Sequence, residues 1–370
     1  LRGNCRATNL ADYADALYED CTITSEAWGV MSTDGVRRCR LNLKNCDVAI
    51  TGPSGYGAFS IGDCIDTFED CRIDVPDYAL IMANETASGV FKNTKVDAGR
   101  FAVMCFRNEG GKLVITDGSV MNTDETTVVV KGCAPIIEAD NCVLSPGNGI
   151  ILQLMNSDDP GNPAGYYKDP TEDDTFDPTH DNKTARETYD VVATFKDMTV
   201  TGDFYNGSTG KKGDTGPKME MAPPPGAGPE GPGGPGGPGG PGGPGGPGGG
   251  PGGPGAKGNG YDGVRNMALT FDNAAVTGII SASKALHRVE KVFKDNCEEL
   301  GEVINTAQPV VNNGVIVTLK NGATWTVAGT SYLSSLTIDD TSSVVGTLLV
   351  DGKETALVPG IYTGALTLTI

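Results

Sequence analysis

A six-residue phrase recurs along the chain and constrains its fold more than any other feature of the sequence. Its order is an apolar residue, any residue, Asp or Asn, a small or sulfur-containing residue, any residue, and a β-branched residue. Eight copies occur, at 18–23, 43–48, 68–73, 91–96, 115–120, more loosely around 141–143, and at 195–200 and 271–276. Such self-similarity at a short period indicates a repeat protein.

The copies are evenly spaced until two segments interrupt them. The fourth phrase position falls at residues 21, 46, 71, 94, 118 and 142, and then at 198 and 274. The first intervals are 23 to 25 residues long, whereas the last two are 56 and 76. Because each long interval exceeds one repeat, we interpret the excess as two insertions into a continuing repeat.

Short β-prone runs broken by Gly, Asn and Asp fill each repeat and predict strands and turns rather than helices. One such repeat cannot enclose a core, whereas stacked repeats pair strand upon strand and share one interior. The sequence therefore predicts an all-β parallel β-helix, a solenoid with two long loop insertions. Its predicted parts are β-helix coils at 1–156, an acidic loop insertion at 157–190, a coil at 191–202, a Gly/Pro-rich insertion at 203–262 and C-terminal coils at 263–370.

Asp or Asn precedes the fourth position of every phrase. These side chains tolerate the left-handed backbone conformation and hydrogen-bond to nearby backbone groups. We therefore expect a turn residue at this position in each repeat. A row of functional carboxylates is the alternative.

Five of the ten cysteines occupy two equivalent repeat positions, Cys21, Cys46 and Cys71 in one column and Cys39 and Cys64 in another. Stacked in-register side chains seldom offer the torsion of about 90° that a disulfide needs. We therefore expect a core stack of buried free thiols that act as small apolar fillers. Disulfides within the set remain the alternative, and the absence of a Cys-x-x-Cys motif disfavours a metal.

The acidic insertion, residues 157–190, holds ten Asp and Glu residues against three Lys and Arg. We expect an ordinary solvated loop. The alternative is a calcium site, for which the candidate ligands are Asp169, Glu172, Asp173, Asp174, Asp177 and Asp181. The segment lacks the spacing of an EF-hand.

The second insertion contains a stretch, residues 231–255, that consists only of Gly and Pro. Its prolines recur with a period of three from Pro232 to Pro247. This pattern favours an extended, polyproline-II-like segment with a solvated backbone. We expect a spacer, and the alternatives are a packed assembly contact and a collagen triple helix.

Charge and hydropathy exclude two classes of partner. The formal net charge of -19 repels phosphate backbones, so we expect no nucleic acid partner. The apolar runs are far shorter than the roughly 20 residues that a membrane span needs, so we expect no span. The chain starts at Leu1 without Met or a leader, which suggests a processed or truncated product.

Short alternating strands continue to the C-terminus, and we interpret 283–300 as a further coil with a long turn, with a single helix as the alternative. The segments 276–283 and 312–338 resemble the tail of large secreted, adhesin-like, right-handed parallel β-helix proteins of anaerobic bacteria. The resemblance implies right-handed coils, an extracellular or cell-surface location, and a structural or adhesive role. It brings no catalytic residues.

The predicted function is that of a non-enzymatic structural protein. Its coils would assemble head to tail into a homo-oligomeric surface filament, or they would form an adhesin stalk with a surface glycan or cell-wall partner. The chain finishes on a strand-like run that we expect to offer an open edge for assembly. This run is Leu366, Thr367, Leu368, Thr369 and Ile370.

The alternative function is that of a polysaccharide-binding or polysaccharide-cleaving enzyme, similar to a pectate lyase. Arg100 and Arg107 share one coil and are candidates for a basic residue in a groove, although an exposed solubilising role is preferred. The two histidines, His180 and His287, share no motif, so nucleophilic catalysis that depends on histidine is not expected.

Overall fold

The computed structural model describes residues 2–3, 6–11, 13–33, 39–158, 190–207, 265–289, 294–311 and 313–370. Within these ranges the chain is nearly all β, with one 3₁₀ helix at Lys294–Glu299 and no α-helix. Most strands pair in parallel in long stacked sheets. The predicted all-β, parallel-strand architecture is therefore confirmed.

The strands before the acidic insertion are β1 Arg2–Gly3, β2 Arg6–Ala11, β3 Asp15–Glu19, β4 Thr22–Ser25, β5 Trp28–Thr33, β6 Arg40–Lys44, β7 Asp47–Ile50, β8 Tyr56–Ile61, β9 Ile65–Glu69, β10 Arg72–Val75, β11 Leu80–Glu85, β12 Ser88–Lys92, β13 Lys95–Ala98, β14 Val103–Thr116, β15 Val120–Thr123, β16 Val128–Lys131, β17 Ala134–Asp140, β18 Val143–Pro146 and β19 Ile150–Met155. Those after it are β20 Val191–Lys196, β21 Thr199–Thr201, β22 Asp203–Asn206, β23 Met267–Asp272, β24 Ala275–Gly278, β25 Ile280–His287, β26 Val303–Ala307, β27 Val315–Lys320, β28 Thr324–Val327, β29 Ser331–Ile338, β30 Ser343–Val345, β31 Thr347–Val350, β32 Lys353–Thr355 and β33 Gly360–Thr369.

Parallel pairing arranges these strands into three ladders. Ladder A contains a seven-stranded sheet from β1 to β18 and a four-stranded sheet of β21, β24, β28 and β30. Ladder B contains β2, β5, β8, β11, the start of β14, β16, β19, β22 and β25. Ladder C contains β3, β6, β9, β12, the end of β14, β17, β20, β23, β27 and β29.

From β2 to β25 the chain visits the ladders in the constant order B, C, A. Each repeat therefore adds one strand to every ladder and lies directly on the previous repeat. Both insertions interrupt this path without changing the order, since β19 and β22 still pair across the first of them.

Alternating side chains of the three ladders meet in one apolar interior, as period-two strands require. In ladder A the buried positions stack in register as Ile23, Val48, Ile73, Val96, Met121 and Leu144 in the first sheet and as Val200, Val276 and Trp325 in the second. Aromatic rings stack between neighbouring repeats in ladder C, with centroids 4.9 Å apart for Phe68 and Phe91 and 5.5 Å apart for Phe195 and Phe271. The shared core follows from strand register rather than from any single repeat.

The Asp or Asn of each phrase is a turn residue between ladders C and A, as expected. Each adopts a left-handed backbone conformation, with φ of 54° at Asp20, 48° at Asn45 and 53° at Asp70. Asp and Asn alternate at this position from one repeat to the next, so that each amide side chain lies beside a carboxylate. Asn45 donates to Asp20 and Asn93 donates to Asp70, both at 2.6 Å from Nδ2 to Oδ1.

One repeat departs from the predicted column of small residues. The phrase at 115–120 holds two left-handed residues, Asp117 and Gly118, where other copies hold one. This extra residue moves Ser119, rather than Gly118, into the column beside Thr94, whose amide donates to Ser119 Oγ at 3.1 Å. A further repeat with the same extra glycine occurs at Asn321 and Gly322.

Pairing turns antiparallel near the C-terminus. β33 pairs with β29 along one edge and with β31 along the other, and β31 also pairs with β32. The predicted assembly strand is therefore not an open edge from Leu366 to Leu368, because β33 turns back between two strands of its own chain. Leu366 and Leu368 are buried, whereas Ile370 is exposed.

The boundaries of the insertions also differ from the prediction. β22 lies within the range assigned to the Gly/Pro-rich insertion, and Asp158 lies within the acidic one but is buried. Within the segment 283–300, residues 283–287 belong to β25 and residues 294–299 form the 3₁₀ helix. The six calcium candidates, His180 and the Gly/Pro stretch lie outside the described residues.

Candidate functional site

Ladder B is buried on both of its faces over part of its length, whereas ladder A exposes its outer face. β16 is buried at every position, while β4 and β10 alternate between buried and more exposed residues. The outer face of this part of ladder B is covered in part by the segment 288–303, which we call the strap. Residues 288–289 and 294–303 of the strap are described. Val303 of the strap packs against an apolar cluster formed by Phe101, Val129 and Met155.

Arg100 is the centre of the polar contacts beneath the strap. Its Nη1 donates to Asp77 Oδ1 and to the Tyr78 hydroxyl, both at 3.0 Å, and its Nε donates to Glu302 Oε1 at 3.3 Å. Its Nη2 also donates to the backbone carbonyl of Leu300. The expected exposed, solubilising role of Arg100 is wrong, because the strap covers a guanidinium that is only 9% exposed.

Burial and charge set the pKa values of the acids around Arg100. Burial raises the pKa of Glu302 to about 7, although the positive charge of Arg100 opposes this shift. Burial also raises the pKa of Asp77, again against the effect of Arg100. Two carboxylates therefore share one buried cation, an arrangement in which removal of the cation leaves uncompensated charge.

Asp158 is the centre of a second buried cluster. Its Oδ1 lies 2.8 Å from Lys131 Nζ, and its Oδ2 lies 3.0 Å from His287 Nε2 and accepts the backbone N–H of Gly301 at 2.6 Å. Burial favours the neutral acid, but the charges of Lys131 and His287 prevail and lower the pKa of Asp158. The side chains of Lys131 and Asp158 are 2% and 1% exposed.

Gly301 allows the close approach of the strap to this cluster. Its φ is 86°, a left-handed conformation, and a Cβ there would lie about 3.1 Å from Lys131 Cε and from Phe101 Cε2. A larger residue would therefore be strained and would push the strap away from ladder B.

Arg288 forms the exposed rim of the site. It donates to Glu125 at 2.9 Å and to Glu299 at 2.6 Å, and it lies 3.5 Å from Glu302. The site thus joins four successive repeats of ladder B, those of β11, β14, β16 and β19, to the strap through charged groups. Its chemistry is that of a closed, ion-paired contact, since the strap fills the space in front of the acids.

The two cysteine columns lie where the repeat predicts. β4, β7 and β10 pair so that Cys21, Cys46 and Cys71 follow one another, and Cys64 stacks on Cys39 in the same way. All five are free thiols, and Cys21 alone of them is not fully buried. Burial raises the pKa of Cys71 to about 11.

A shallow groove of about 600 Å³ opens where the two sheets of ladder A meet. Val143 of β18 and Thr199 of β21 line it together with the turn residues Asn141, Asp197 and Asn273. Within the described ranges, no cluster of three or more His, Cys, Asp or Glu side chains is arranged to hold a metal ion.

Sequence reasoning missed Lys131, Asp158 and Glu302. Lys131 follows three valines in a strand, and alternation alone places it on the outer face without indicating that a distant segment covers it. His287 belongs to no sequence motif that would link it to Asp158. The buried network depends on contacts between residues up to 202 positions apart.

The chain was compared with known proteins. No family model, no curated protein and no solved structure matches it. No helix in the described part of the chain has the length and apolar character that crossing a membrane requires.

Proposed function

We propose that the protein is a right-handed parallel β-helix that serves as a non-enzymatic, extracellular structural element, an adhesin-type stalk at the cell surface. The constant order of the three ladders carries this proposal, since such a path produces a long scaffold with repeated outer faces. The resemblance of segments 276–283 and 312–338 to secreted adhesin-like proteins supports the location and the adhesive role.

The stalk is favoured over the head-to-tail filament by the C-terminal pairing. A filament of this kind needs an open parallel edge that accepts the next subunit and so propagates without closing. Here β33 lies antiparallel between β29 and β31 and occupies the corresponding edge of ladder C. The same strand therefore acts as a cap that keeps individual molecules apart.

Removal of this cap tests the proposal. A variant lacking residues 360–370 exposes the edge of β29 and is expected to associate end to end as its concentration rises. The intact chain, and a matched control with Thr369→Ser, should remain monomeric in light scattering and form no filaments in electron micrographs. Filaments formed by the intact chain would contradict the stalk and favour the filament.

A polysaccharide-binding surface is the second candidate function, and one observation favours it. Aromatic side chains lie on the outer face of ladder B near the N-terminus, where the half-buried Trp28 stacks on the buried Tyr56 with centroids 5.7 Å apart and the half-buried Phe59 lies beside Tyr56. The exposed parts of Trp28 and Phe59 would pack against sugar rings. Co-sedimentation with insoluble cell-wall polysaccharide should be lost in Trp28→Ala and kept in Trp325→Phe, a buried control.

A further inference from the structure

We propose that Lys131 and Asp158 form an intramolecular amide bond, an autocatalytic cross-link between the side chains of two neighbouring repeats. Lys131 ends β16 and lies opposite Met155 of β19 in ladder B, three residues before Asp158. The bond would tie β16 to the point where the acidic insertion begins. It is independent of the proposed stalk function.

The first argument is the placement of the two reacting groups. Lys131 Nζ lies 2.8 Å from Asp158 Oδ1, and no other group in the described part of the chain hydrogen-bonds to this oxygen. Because Oδ1 is bonded directly to Cγ, the amine nitrogen also lies beside the carbon that it would attack. Such proximity of the reacting groups is what a near-attack arrangement requires.

The second argument is the pair of hydrogen-bond donors that face the other carboxyl oxygen of Asp158. Oδ2 of Asp158 faces two donors, the imidazole Nε2 of His287 at 3.0 Å and the backbone N–H of Gly301 at 2.6 Å. Two donors on one oxygen form the arrangement that stabilises a tetrahedral intermediate in acyl transfer. The conformation of Gly301 allows its N–H to reach this position.

The third argument is the environment. Both side chains are almost fully buried, and the apolar cluster of Phe101, Val129 and Met155 lies alongside ladder B at this site. Burial of an ammonium and a carboxylate is costly unless both are well paired, and condensation replaces the two charges by one neutral amide. Exclusion of water also opposes the reverse reaction, hydrolysis.

The reaction balances without any external reagent. A proton passes from the Lys131 ammonium to Oδ1 of Asp158, and the neutral amine attacks the Asp158 carboxyl carbon, Cγ. The new bond joins Nζ to Cγ, and Oδ2 carries the developing negative charge toward His287 and Gly301. A second proton then passes from Nζ to Oδ1, the bond between Cγ and Oδ1 breaks, and Oδ1 leaves as one water molecule while Oδ2 becomes the carbonyl oxygen of the amide.

Mass spectrometry of the purified, reduced and denatured chain tests the proposal directly. The expected intact mass is lower than the sequence mass by one water molecule, and digestion should yield one branched peptide joining Lys131 to Asp158. The exposed ion pair of Lys196 and Asp140, whose Nζ and Oδ2 lie 2.9 Å apart, is an internal control that should stay unlinked. An intact mass equal to the sequence mass, with both peptides recovered separately, would overturn the proposal.

Variants separate the chemistry from the fold. Lys131→Met and Asp158→Ala should each restore the full mass. His287→Leu retains both reacting groups but removes the imidazole donor, and it should slow formation of the cross-link by about a hundredfold, the effect typical of losing one oxyanion donor. An equally rapid water loss in His287→Leu would contradict the positioning role of His287, and water loss in Lys131→Met would show that other residues react.

Discussion

The Nε of Arg100 lies 3.3 Å from Oε1 of Glu302, although 202 positions separate the two residues in the sequence. Arg100 belongs to an early repeat, while Glu302 belongs to the strap that follows β25. The contact therefore fixes a late segment of the chain onto the outer face of ladder B. Both groups are buried, so their ionisation is linked to the stability of this contact.

Stability near neutral pH should depend on Glu302. Its pKa is raised to about 7 by burial, so the folded state binds a proton that the unfolded state releases at lower pH. The resulting stabilisation is present below the unfolded pKa, near 4.5, and is lost as pH rises to about 7. The change is on the order of 3 kcal/mol.

Glu302→Gln removes this dependence because the amide does not titrate. Chemical unfolding at several pH values between 4.5 and 8 should show that the wild type loses stability relative to Glu302→Gln as pH rises. A constant difference between the two proteins, or one with the opposite sign, would show that Arg100 rather than burial dominates the ionisation of Glu302.

Removal of the buried cation, Arg100, should lower the free energy of unfolding far more than removal of the cation at the rim, Arg288. Arg100→Met leaves Asp77 and Glu302 without their shared partner and should lower the free energy of unfolding by about 3 to 5 kcal/mol. Arg288→Met, whose side chain is 36% exposed, should cost less than about 1 kcal/mol. Equal effects in urea unfolding would argue against the buried network.

The alternation of Asp and Asn along the turns should matter energetically. Asn45→Asp keeps a residue that tolerates the left-handed conformation, but it places a carboxylate against Asp20, where the Asn45 amide now donates at 2.6 Å. A loss of about 1 kcal/mol is expected, and added salt should reduce it.

The reciprocal double variant Asp20→Asn with Asn45→Asp provides the control. It restores one carboxylate and one amide at this step and should recover part of the lost stability in thermal unfolding. A double variant as unstable as the sum of its single changes would mean that the pair is not coupled.

The reactivity of each thiol should follow its burial. Cys71 and Cys142 are buried and burial raises their pKa values to about 11 and about 12, so little reactive thiolate forms at pH 8. Cys21 is partly exposed. Brief treatment with iodoacetamide followed by peptide mapping should modify Cys21 well before Cys71 or Cys142, and uniform labelling would contradict the stacked interior.

The repeat phrase predicted the strand register because its buried positions have to coincide from one repeat to the next. The columns from Cys21 to Cys71 and the turns from Asp20 to Asn45 follow from this requirement alone. The extra glycine at Gly118 changed the register locally, since a second left-handed residue fits at the same turn. This adjustment is not visible in the pattern of apolar residues.

The strap and the clusters beneath it could not be predicted in the same way. Alternation places Lys131 on an outer face, and outer faces of repeat proteins are usually solvated. Its burial depends on Gly301 and on neighbouring strap residues, which carry no repeat pattern. The antiparallel pairing of β33 could not be predicted either. The alternation of Leu366 and Leu368 with polar residues is the same in an edge strand as in a strand paired on both sides.

Distance measurements across ladder A test the stacked architecture most directly. Thr22 and Thr324 are exposed on β4 and β28, eight steps apart along the ladder. Spin labels introduced at these positions should lie about 38 Å apart, and labels at Thr22 and Val143, five steps apart, about 24 Å apart, at about 4.8 Å per step. Wild-type protein treated with the same label supplies the background. Two narrow distributions in this ratio are the predicted result, whereas a shorter distance for the pair Thr22 and Thr324 than for the pair Thr22 and Val143 would contradict the account.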